Sequence, residues 1–322
     1  MPSSESARPD PRMVGGTIPI ILTPFTETNE VDWDALAAES VFLASAGISW
    51  AGLGYGSEIG RLTASEVDAI STTIHDETSG SIGVISNAEV TSVRSGIDSL
   101  QRAAQSGPAA VMVRPGQLLG LSDQQLFDCF AEVVTAGGIP VVLQDAPQHT
   151  GVQLSANLLA RLLRDVPDIV AVKIEPPSGA VAKIGAVSAE LAGAPGRIIG
   201  GSGGKDYILE LEKGSHGTMP GPAFAELFEV LAKRLKMGDT AGAWRMLSRF
   251  LPIMGLGAAT ANMDGFLHSQ KHLLVKRGVL ASSRLRQPST PIPHEHDELL
   301  DRVFDYLDID AALAECRREL EL

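Results

Sequence analysis

The sequence has 322 residues, of which 44% are hydrophobic, and 39 acidic against 26 basic residues give it a formal net charge of −13. A chain of this length can bury one barrel-sized core with an appendage. Its negative charge argues against nucleic acid or an anionic membrane as a partner. The two cysteines, Cys129 and Cys316, support neither a disulfide framework nor a thiolate metal cluster. We therefore expect a cytoplasmic protein.

The chain begins with a segment that is rich in serine, proline and charge. Residues 1–14 lack the apolar centre of a secretory signal, and we expect them to form a disordered leader. No uncharged apolar stretch reaches the roughly 18 residues that a membrane helix needs. The sequence therefore predicts no association with a membrane.

From Gly15 onward, short β-rich segments alternate with longer amphipathic ones, a pattern typical of βα units around a parallel sheet. The predicted strands are 17–22, 50–54, 81–86, 109–113, 139–144, 168–173, 197–201 and 215–219. The helical patterns include 31–46, 63–78, 89–106, 122–137, 155–164 and 221–237. Several begin after a serine or threonine that can act as the N-cap.

Eight such units predict an α/β fold, a (β/α)8 TIM barrel, over residues 15–224. Residues 225–322 are predicted to form a small C-terminal helical domain, with a linker at 281–294 and a last helix at 295–320. A doubly wound open sheet is the alternative. It would need a glycine-rich phosphate motif after the first strand, and Leu22-Thr23-Pro24-Phe25 is not one.

In a barrel of this kind, catalytic residues lie at the carboxyl ends of the strands. Lys173 ends the sixth predicted strand, after the apolar run Ile169-Val170-Ala171-Val172. Burial disfavours the charged form of a lysine, so a neutral amine that can attack a ketone becomes accessible. Lys173 is therefore a candidate Schiff-base nucleophile, the alternative being a strand-end lysine that reaches solvent.

The second strand ends in Gly54-Tyr55-Gly56-Ser57-Glu58. Such a loop can direct successive backbone N–H groups at one anion, and the positive end of the following helix adds to this. Glycine-rich loops also occur simply as tight turns. By itself the loop favours neither explanation, but beside Lys173 it predicts a carboxylate site.

Five segments in order resemble the dihydrodipicolinate synthase and N-acetylneuraminate lyase family, from about Gly15 to Pro288. These segments are Leu22-Thr23-Pro24-Phe25, Gly54-Tyr55-Gly56-Ser57-Glu58, Pro147-Gln148-His149-Thr150-Gly151, Val172-Lys173 and Lys271-His272-Leu273-Leu274-Val275-Lys276-Arg277-Gly278. The resemblance implies a barrel with a helical domain, a homotetramer or homodimer, and aldolase chemistry through a lysine imine with pyruvate or a related 2-oxo acid. It implies no cofactor and no metal, because the imine itself is the electron sink.

The family's residues map onto this chain with clear departures. Lys173 takes the place of the imine-forming lysine. The tyrosine expected on strand 5 is Gln144, whose amide cannot act as an acid or base. Arg114 begins the segment where a second tyrosine is expected. Tyr55 is the natural replacement for the proton relay, although packing at the barrel mouth is an equal alternative.

We therefore expect Lys173, Tyr55 and Gln144 to be the catalytic residues. The expected substrate-binding residues at the rim are Gly56, Ser57, Glu58, His149, Gly201 and Met219. His149 lies near the position where synthases of the family keep an arginine for the second substrate. Its presence favours a hydroxylated sugar acid over a dicarboxylate.

Three functions remain open from the sequence. The first is a Schiff-base lyase, either an aldolase or a dehydratase, that acts on pyruvate or a 2-keto-3-deoxy sugar acid. The second is a 4-hydroxy-tetrahydrodipicolinate synthase with an altered proton relay. The third is a catalytically silent homologue that binds a 2-oxo acid. Glu175 is interpreted as a charge at the rim or as a residue that positions Lys173.

Overall fold

Eight parallel strands form the central sheet of the protein. The computed structural model describes residues 9–259 and 263–322. The strands are β1 Gly16–Thr17, β2 Trp50–Gly52, β3 Gly83–Val90, β4 Ala110–Pro115, β5 Val141–Asp145, β6 Ile169–Ile174, β7 Arg197–Gly200 and β8 Gly217–Thr218. Their order is β1-β8-β7-β6-β5-β4-β3-β2, with every neighbouring pair parallel.

Residues just after β1 bring the two edges of the sheet together. Gly52 donates to the carbonyl of Pro19 at 2.9 Å, and Ile21 donates to the carbonyl of Gly52 at 3.1 Å. Regular pairing ends before Pro19, which has no N–H to donate. The predicted barrel is confirmed, and its first strand is shorter than the expected 17–22.

Helices surround the strands and continue beyond them. They are α1 Trp33–Ser45, α2 Ala64–Glu77, α3 Val93–Gln105, α4 Asp123–Gly137, α5 Pro147–Thr150, α6 Ala156–Asp165, α7 Ala180–Leu191, α8 Tyr207–Glu212, α9 Ala225–Lys236, α10 Thr240–Ala259, α11 Met263–Lys276, α12 His294–Tyr306 and α13 Ile309–Leu320. Thr63 and Ser122 cap α2 and α4 as their sequences predict, each in a capping box with the residue three positions later. The predicted helix 89–106 starts only at Val93, because β3 continues to Val90.

The C-terminal region differs from its prediction in two places. The single helix expected at 295–320 is broken into α12 and α13 at Asp308, which has a left-handed φ of 48°. The break lets α13 fold back beside α9, and both helices bury apolar side chains in one core with α10 and α11. The helical pattern of residues 221–280 predicts that Trp244 lies on an apolar face, whereas it is 36% exposed.

Helix α9 and the N-terminal segment bear on the domain boundaries that the sequence predicts. Helix α9 packs against β1 as the eighth helix of the barrel would, and we propose that the barrel extends to Lys236 instead of ending at residue 224. Within the predicted leader, residues 1–8 lie outside the described part. Pro11–Met13 form a 3-10 turn and Val14 is fully buried, so this part of the predicted leader is ordered.

No helix in the described part of the chain combines the length and the apolar character needed to cross a bilayer.

Candidate active site

A cavity of about 750 Å³ opens at the carboxyl ends of the strands. A volume of this size suits a small-molecule ligand. Among the predicted site residues, its lining contains Lys173, Tyr55, Gly56, His149 and Met219. The candidate nucleophile and the glycine-tyrosine loop therefore line the same space, as a carboxylate site beside Lys173 requires.

Lys173 lies near the end of β6, with the whole residue only 4% exposed. Its Nζ lies 2.8 Å from Oε1 of Glu175. The ion pair offsets the cost of burying an ammonium group, which is otherwise large. Of the two interpretations of Glu175, the structure supports the partner that positions Lys173.

Glu175 collects hydrogen bonds from several elements. Its Oε1 accepts from Nε2 of Gln144 at 2.5 Å, and its Oε2 accepts from the backbone N–H of Ser202 at 3.3 Å. Burial raises the pKa of Glu175, but the charge of Lys173 and these hydrogen bonds outweigh burial and bring the pKa below its ordinary value. The carboxylate is thus ionised and fixed beside the lysine.

Gln144 is fully buried on β5 and reaches the site only through Glu175. It is not among the residues that line the cavity, and its Oε1 has no hydrogen-bond partner in the described part of the chain. The prediction that Gln144 is catalytic is therefore corrected. The amide positions Glu175 and, as expected of an amide, cannot carry a proton itself.

Tyr55 and His149 lie against each other at the mouth of the cavity. Their ring centroids are 4.2 Å apart with a 33° angle between the planes, and the guanidinium of Arg114 lies 5.4 Å from the Tyr55 centroid. Partial burial, together with the charge of Lys173, lowers the pKa of His149, and Glu175 opposes this only in part. His149 is therefore a neutral group near pH 7 that can accept or donate a hydrogen bond.

The loop after β2 forms a 3-10 turn, Tyr55–Ser57. The N–H groups of Ser57 and Glu58 donate back to the carbonyls of Gly54 and Tyr55 at 2.9 and 3.0 Å. The earlier N–H groups, of Tyr55 and Gly56, belong to residues that line the cavity. They are the donors that this loop offers to an anion.

Two predicted ligands on this loop point elsewhere. The hydroxyl of Ser57 donates to the carbonyl of Ile21 at 2.6 Å, so it has no proton left for a carboxylate. The carboxylate of Glu58 lies 2.6 Å from Nζ of Lys271 and 2.8 Å from Arg61. Contrary to the prediction, neither side chain is therefore placed to bind the substrate. The hydroxyl of Ser57 holds the loop against the backbone that follows β1, and the carboxylate of Glu58 holds it against Lys271 of α11.

Gly201 and Met219 complete the predicted set. Met219 lines the cavity floor. Gly201 does not line it, but a Cβ at this position would lie 2.4 Å from Oε2 of Glu175 and 3.1 Å from Cε of Lys173. The absence of a side chain at Gly201 leaves the space in which the Lys173 and Glu175 pair sits.

Residues from outside the barrel also line the cavity. Leu251 and Met254 of α10 and Phe266 and Gln270 of α11 enclose it from the C-terminal region. The sequence does not predict this contribution, since nothing in an amphipathic pattern shows which helix reaches across a barrel. Gln148, whose Nε2 donates to the carbonyl of Glu175 at 3.0 Å, was likewise missed.

Comparison with known proteins agrees with this architecture. The model of the dihydrodipicolinate synthetase family matches residues 13–306. An L-2-keto-3-deoxyarabonate dehydratase of Azospirillum brasilense is 30% identical over 294 residues, which cover 88% of this chain and 92% of that protein. A 4-hydroxy-tetrahydrodipicolinate synthase of Phocaeicola vulgatus is 26% identical over 276 residues, covering 84% and 89%. The crystal structure of a dihydrodipicolinate synthase from Rhodopseudomonas palustris matches with a TM-score of 0.83 at 26% identity, over 92% of this chain and 99% of that one. The predicted resemblance is confirmed, and the chain belongs to the dihydrodipicolinate synthetase family.

Proposed function

We propose that the protein is a lyase that forms a Schiff base between Lys173 and a 2-keto-3-deoxy sugar acid, and that it removes water from this substrate. The observation that carries the proposal is the buried pair of Lys173 and Glu175, 2.8 Å apart, at the wall of a cavity of about 750 Å³. An amine beside a fixed carboxylate can lose its proton locally and attack a carbonyl carbon.

The substrate carboxylate is proposed to lie on the N–H groups of Tyr55 and Gly56. This places the 2-oxo carbon between the loop and Lys173. Glu175 takes one proton of the Lys173 ammonium, the amine attacks, and a second amine proton moves to the carbonyl oxygen. Glu175 then returns its proton to the departing hydroxyl, so that water leaves, a protonated imine forms and the carboxylate is free again. The positive imine nitrogen then acidifies the protons on C3.

Dehydration follows from the same groups. Glu175 removes a proton from C3, and the electron pair forms an enamine. The enamine expels the C4 hydroxyl, which leaves as water after it receives a proton from Tyr55 at the mouth. The proton that Glu175 took from C3 then passes through solvent to restore the Tyr55 hydroxyl. Hydrolysis of the imine releases the product and restores Lys173.

Three observations favour dehydration of a sugar acid over synthase chemistry. The dehydratase of Azospirillum brasilense is 30% identical over most of both chains. Gln144 stands where the family's strand-5 tyrosine is expected. Its amide donates a hydrogen bond to Glu175, so this position supplies no tyrosine hydroxyl to the cavity. A sugar acid carries hydroxyl groups, which the neutral His149 at the mouth can bind.

Reduction of the imine tests the proposal. The protein is incubated with pyruvate and borohydride, and the modified peptide is mapped by mass spectrometry. We expect the adduct on Lys173, lost in Lys173→Met and kept in Lys205→Met, whose amine lies at the same cavity but is 57% exposed. An unmodified Lys173 under saturating pyruvate contradicts the Schiff base and favours a silent homologue.

Turnover then separates the two enzymatic functions. A 2-keto-3-deoxy pentonic acid is supplied, and loss of water is followed by nuclear magnetic resonance. In parallel, pyruvate is supplied with aspartate semialdehyde. Dehydration in the first assay alone supports the proposal, whereas turnover in the second alone shows a synthase.

A further inference from the structure

Two helices outside the barrel bring three metal-binding side chains together, away from the cavity. These are His268 and His272 on α11 and Asp297 on α12, and one ligand atom from each lies within 4.8 Å of the others. The spacing of four residues places both imidazoles on one face of α11. The two rings are stacked, with their centroids 6.2 Å apart.

One carboxylate oxygen faces both rings. Oδ1 of Asp297 lies 2.6 Å from Nε2 of His268 and 3.6 Å from Nδ1 of His272. The three side chains are 14%, 16% and 25% exposed for His268, His272 and Asp297. Two imidazole nitrogens and a carboxylate oxygen therefore converge at a largely desolvated point.

A second carboxylate orients one of the rings. Nε2 of His272 lies 3.0 Å from Oδ1 of Asp301, one turn further along α12. A carboxylate that accepts a hydrogen bond from the far N–H of a histidine fixes the tautomer in which the near nitrogen carries a lone pair. Here the near nitrogen is Nδ1, the atom that faces Asp297. This arrangement is the one that metal-binding histidines commonly show.

We propose that this cluster binds one divalent transition-metal ion of the zinc class, through Nε2 of His268, Nδ1 of His272 and Oδ1 of Asp297, with water as the remaining ligand. Bond lengths of about 2.0–2.1 Å in a tetrahedral site place neighbouring ligands about 3.4 Å apart. Nδ1 of His272 and Oδ1 of Asp297, 3.6 Å apart, already have about this separation. Nε2 of His268 and Oδ1 of Asp297, 2.6 Å apart, would have to separate by less than about 1 Å.

The donor set decides the class of metal. Imidazole nitrogens suit zinc, cobalt and nickel, whereas magnesium and calcium prefer an all-oxygen set. The resemblance to the family implies no metal, and the proposed site departs from that expectation without involving the imine chemistry. The ion would join α11 to α12, and α11 carries both Lys271, the partner of Glu58, and Phe266 at the cavity.

Metal titration tests the proposal on the full-length chain, without an affinity tag and after dialysis against a chelator. Zinc chloride binding is followed by calorimetry, and cobalt chloride binding by visible absorption. The variants are Asp297→Asn and His272→Gln. The matched control is His294→Gln at the start of α12, where the side chain is 83% exposed.

We expect the wild type and His294→Gln to bind one equivalent of zinc per chain, and zinc to raise their thermal midpoints. Asp297→Asn and His272→Gln should bind at least about tenfold more weakly. Absence of saturable binding by the wild type overturns the proposal, as does equal affinity in Asp297→Asn and His294→Gln. Circular dichroism checks the fold. Should both variants unfold, X-ray absorption of the zinc-loaded wild type decides: two imidazole ligands support the site, and oxygen ligands alone exclude it.

Discussion

The carboxylate of Glu175 lies 2.8 Å from the amine of Lys173, two residues before it in the chain, and also accepts a hydrogen bond from Gln144. Lys173 is the residue before the last in β6, and Glu175 follows immediately after that strand. The charge of the lysine lowers the pKa of Glu175 against the effect of burial. A base that is ionised and already oriented costs no reorganisation when a proton has to move.

Replacement of this base tests its proposed role in proton transfer. Glu175→Gln keeps the size and a hydrogen-bonding oxygen but cannot accept a proton. We expect the rate of dehydration to fall by about 10²–10⁴-fold, the usual contribution of general base catalysis. The adduct on Lys173 with pyruvate should still form at long incubation. Steady-state kinetics measure the effect, with Glu132→Gln on the exposed face of α4 as the control. An unchanged rate assigns Glu175 to structure alone.

The hydroxyl of Tyr55 is the second group to test. Tyr55→Phe keeps the ring that packs against His149 and removes only the oxygen. If the hydroxyl carries protons, kcat falls by about 10²-fold, with the fold intact. If Tyr55 only packs at the mouth, kcat stays the same as in Tyr306→Phe, whose side chain is on the surface and 82% exposed. The comparison of these two rates decides between the alternatives that the sequence left open.

Much of the barrel could be predicted because each buried strand is a short apolar run bounded by turn residues. The end of β6 was located in this way, and with it Lys173. Side-chain direction at the loop after β2 could not be read from the sequence. Ser57 and Glu58 follow Tyr55 and Gly56 directly, yet the 3-10 turn points them toward the backbone of Ile21 and toward Lys271.

Lys271, a partner of Glu58, and Gln144, a partner of Glu175, lie far from these residues in the chain. Lys271 is 213 positions from Glu58, and no local periodicity relates the two. The same holds for Asp297 beside His268, although the spacing of His268 and His272 is visible in the sequence. Local patterns therefore predicted most elements of the barrel, while tertiary packing set some of their ends and selected which polar side chains meet.

The buried pair of Lys271 and Glu58 predicts a large effect on stability. Both side chains are fully buried, 2.6 Å apart. Lys271→Met leaves the carboxylate of Glu58 with Arg61 as its remaining charged partner. Loss of one member of a buried pair typically costs about 3–5 kcal/mol in the free energy of unfolding. Urea denaturation measures this loss, which Lys236→Met on the exposed face of α9 should not show.

A second substitution separates the charge from the packing. In the double variant Glu58→Gln, Lys271→Met, no unpaired charge remains at the position of the pair. We expect this variant to recover part of the stability that Lys271→Met loses. If the losses of stability in Glu58→Gln and in Lys271→Met simply add in the double variant, the ion pair is not the cause, because coupled neighbours deviate from additivity.

Glu39 on α1 predicts how the stability of the protein changes with pH. The side chain is fully buried, and its Oε1 accepts from the backbone N–H of Leu22 at 2.9 Å. Burial raises the pKa of Glu39 to about 8, against an ordinary value of 4.5. Between these values the folded chain holds a proton at Glu39 that the unfolded chain has lost. The contribution of Glu39 to stability must therefore fall as the pH rises from 4.5 to 8.

Glu39→Gln removes this proton uptake and keeps an oxygen for Leu22. We expect the free energy of unfolding of the wild type, relative to that of Glu39→Gln, to decrease by up to about 1.4 kcal/mol per pH unit in this window. Urea denaturation at pH 5.5 and pH 8 measures the difference, with Asp34→Asn on the exposed face of the same helix as the control. Parallel pH profiles for the wild type and Glu39→Gln would show that Glu39 is ionised in the folded protein. The charge of Lys271, which lowers the pKa of Glu39, would then stabilise the carboxylate.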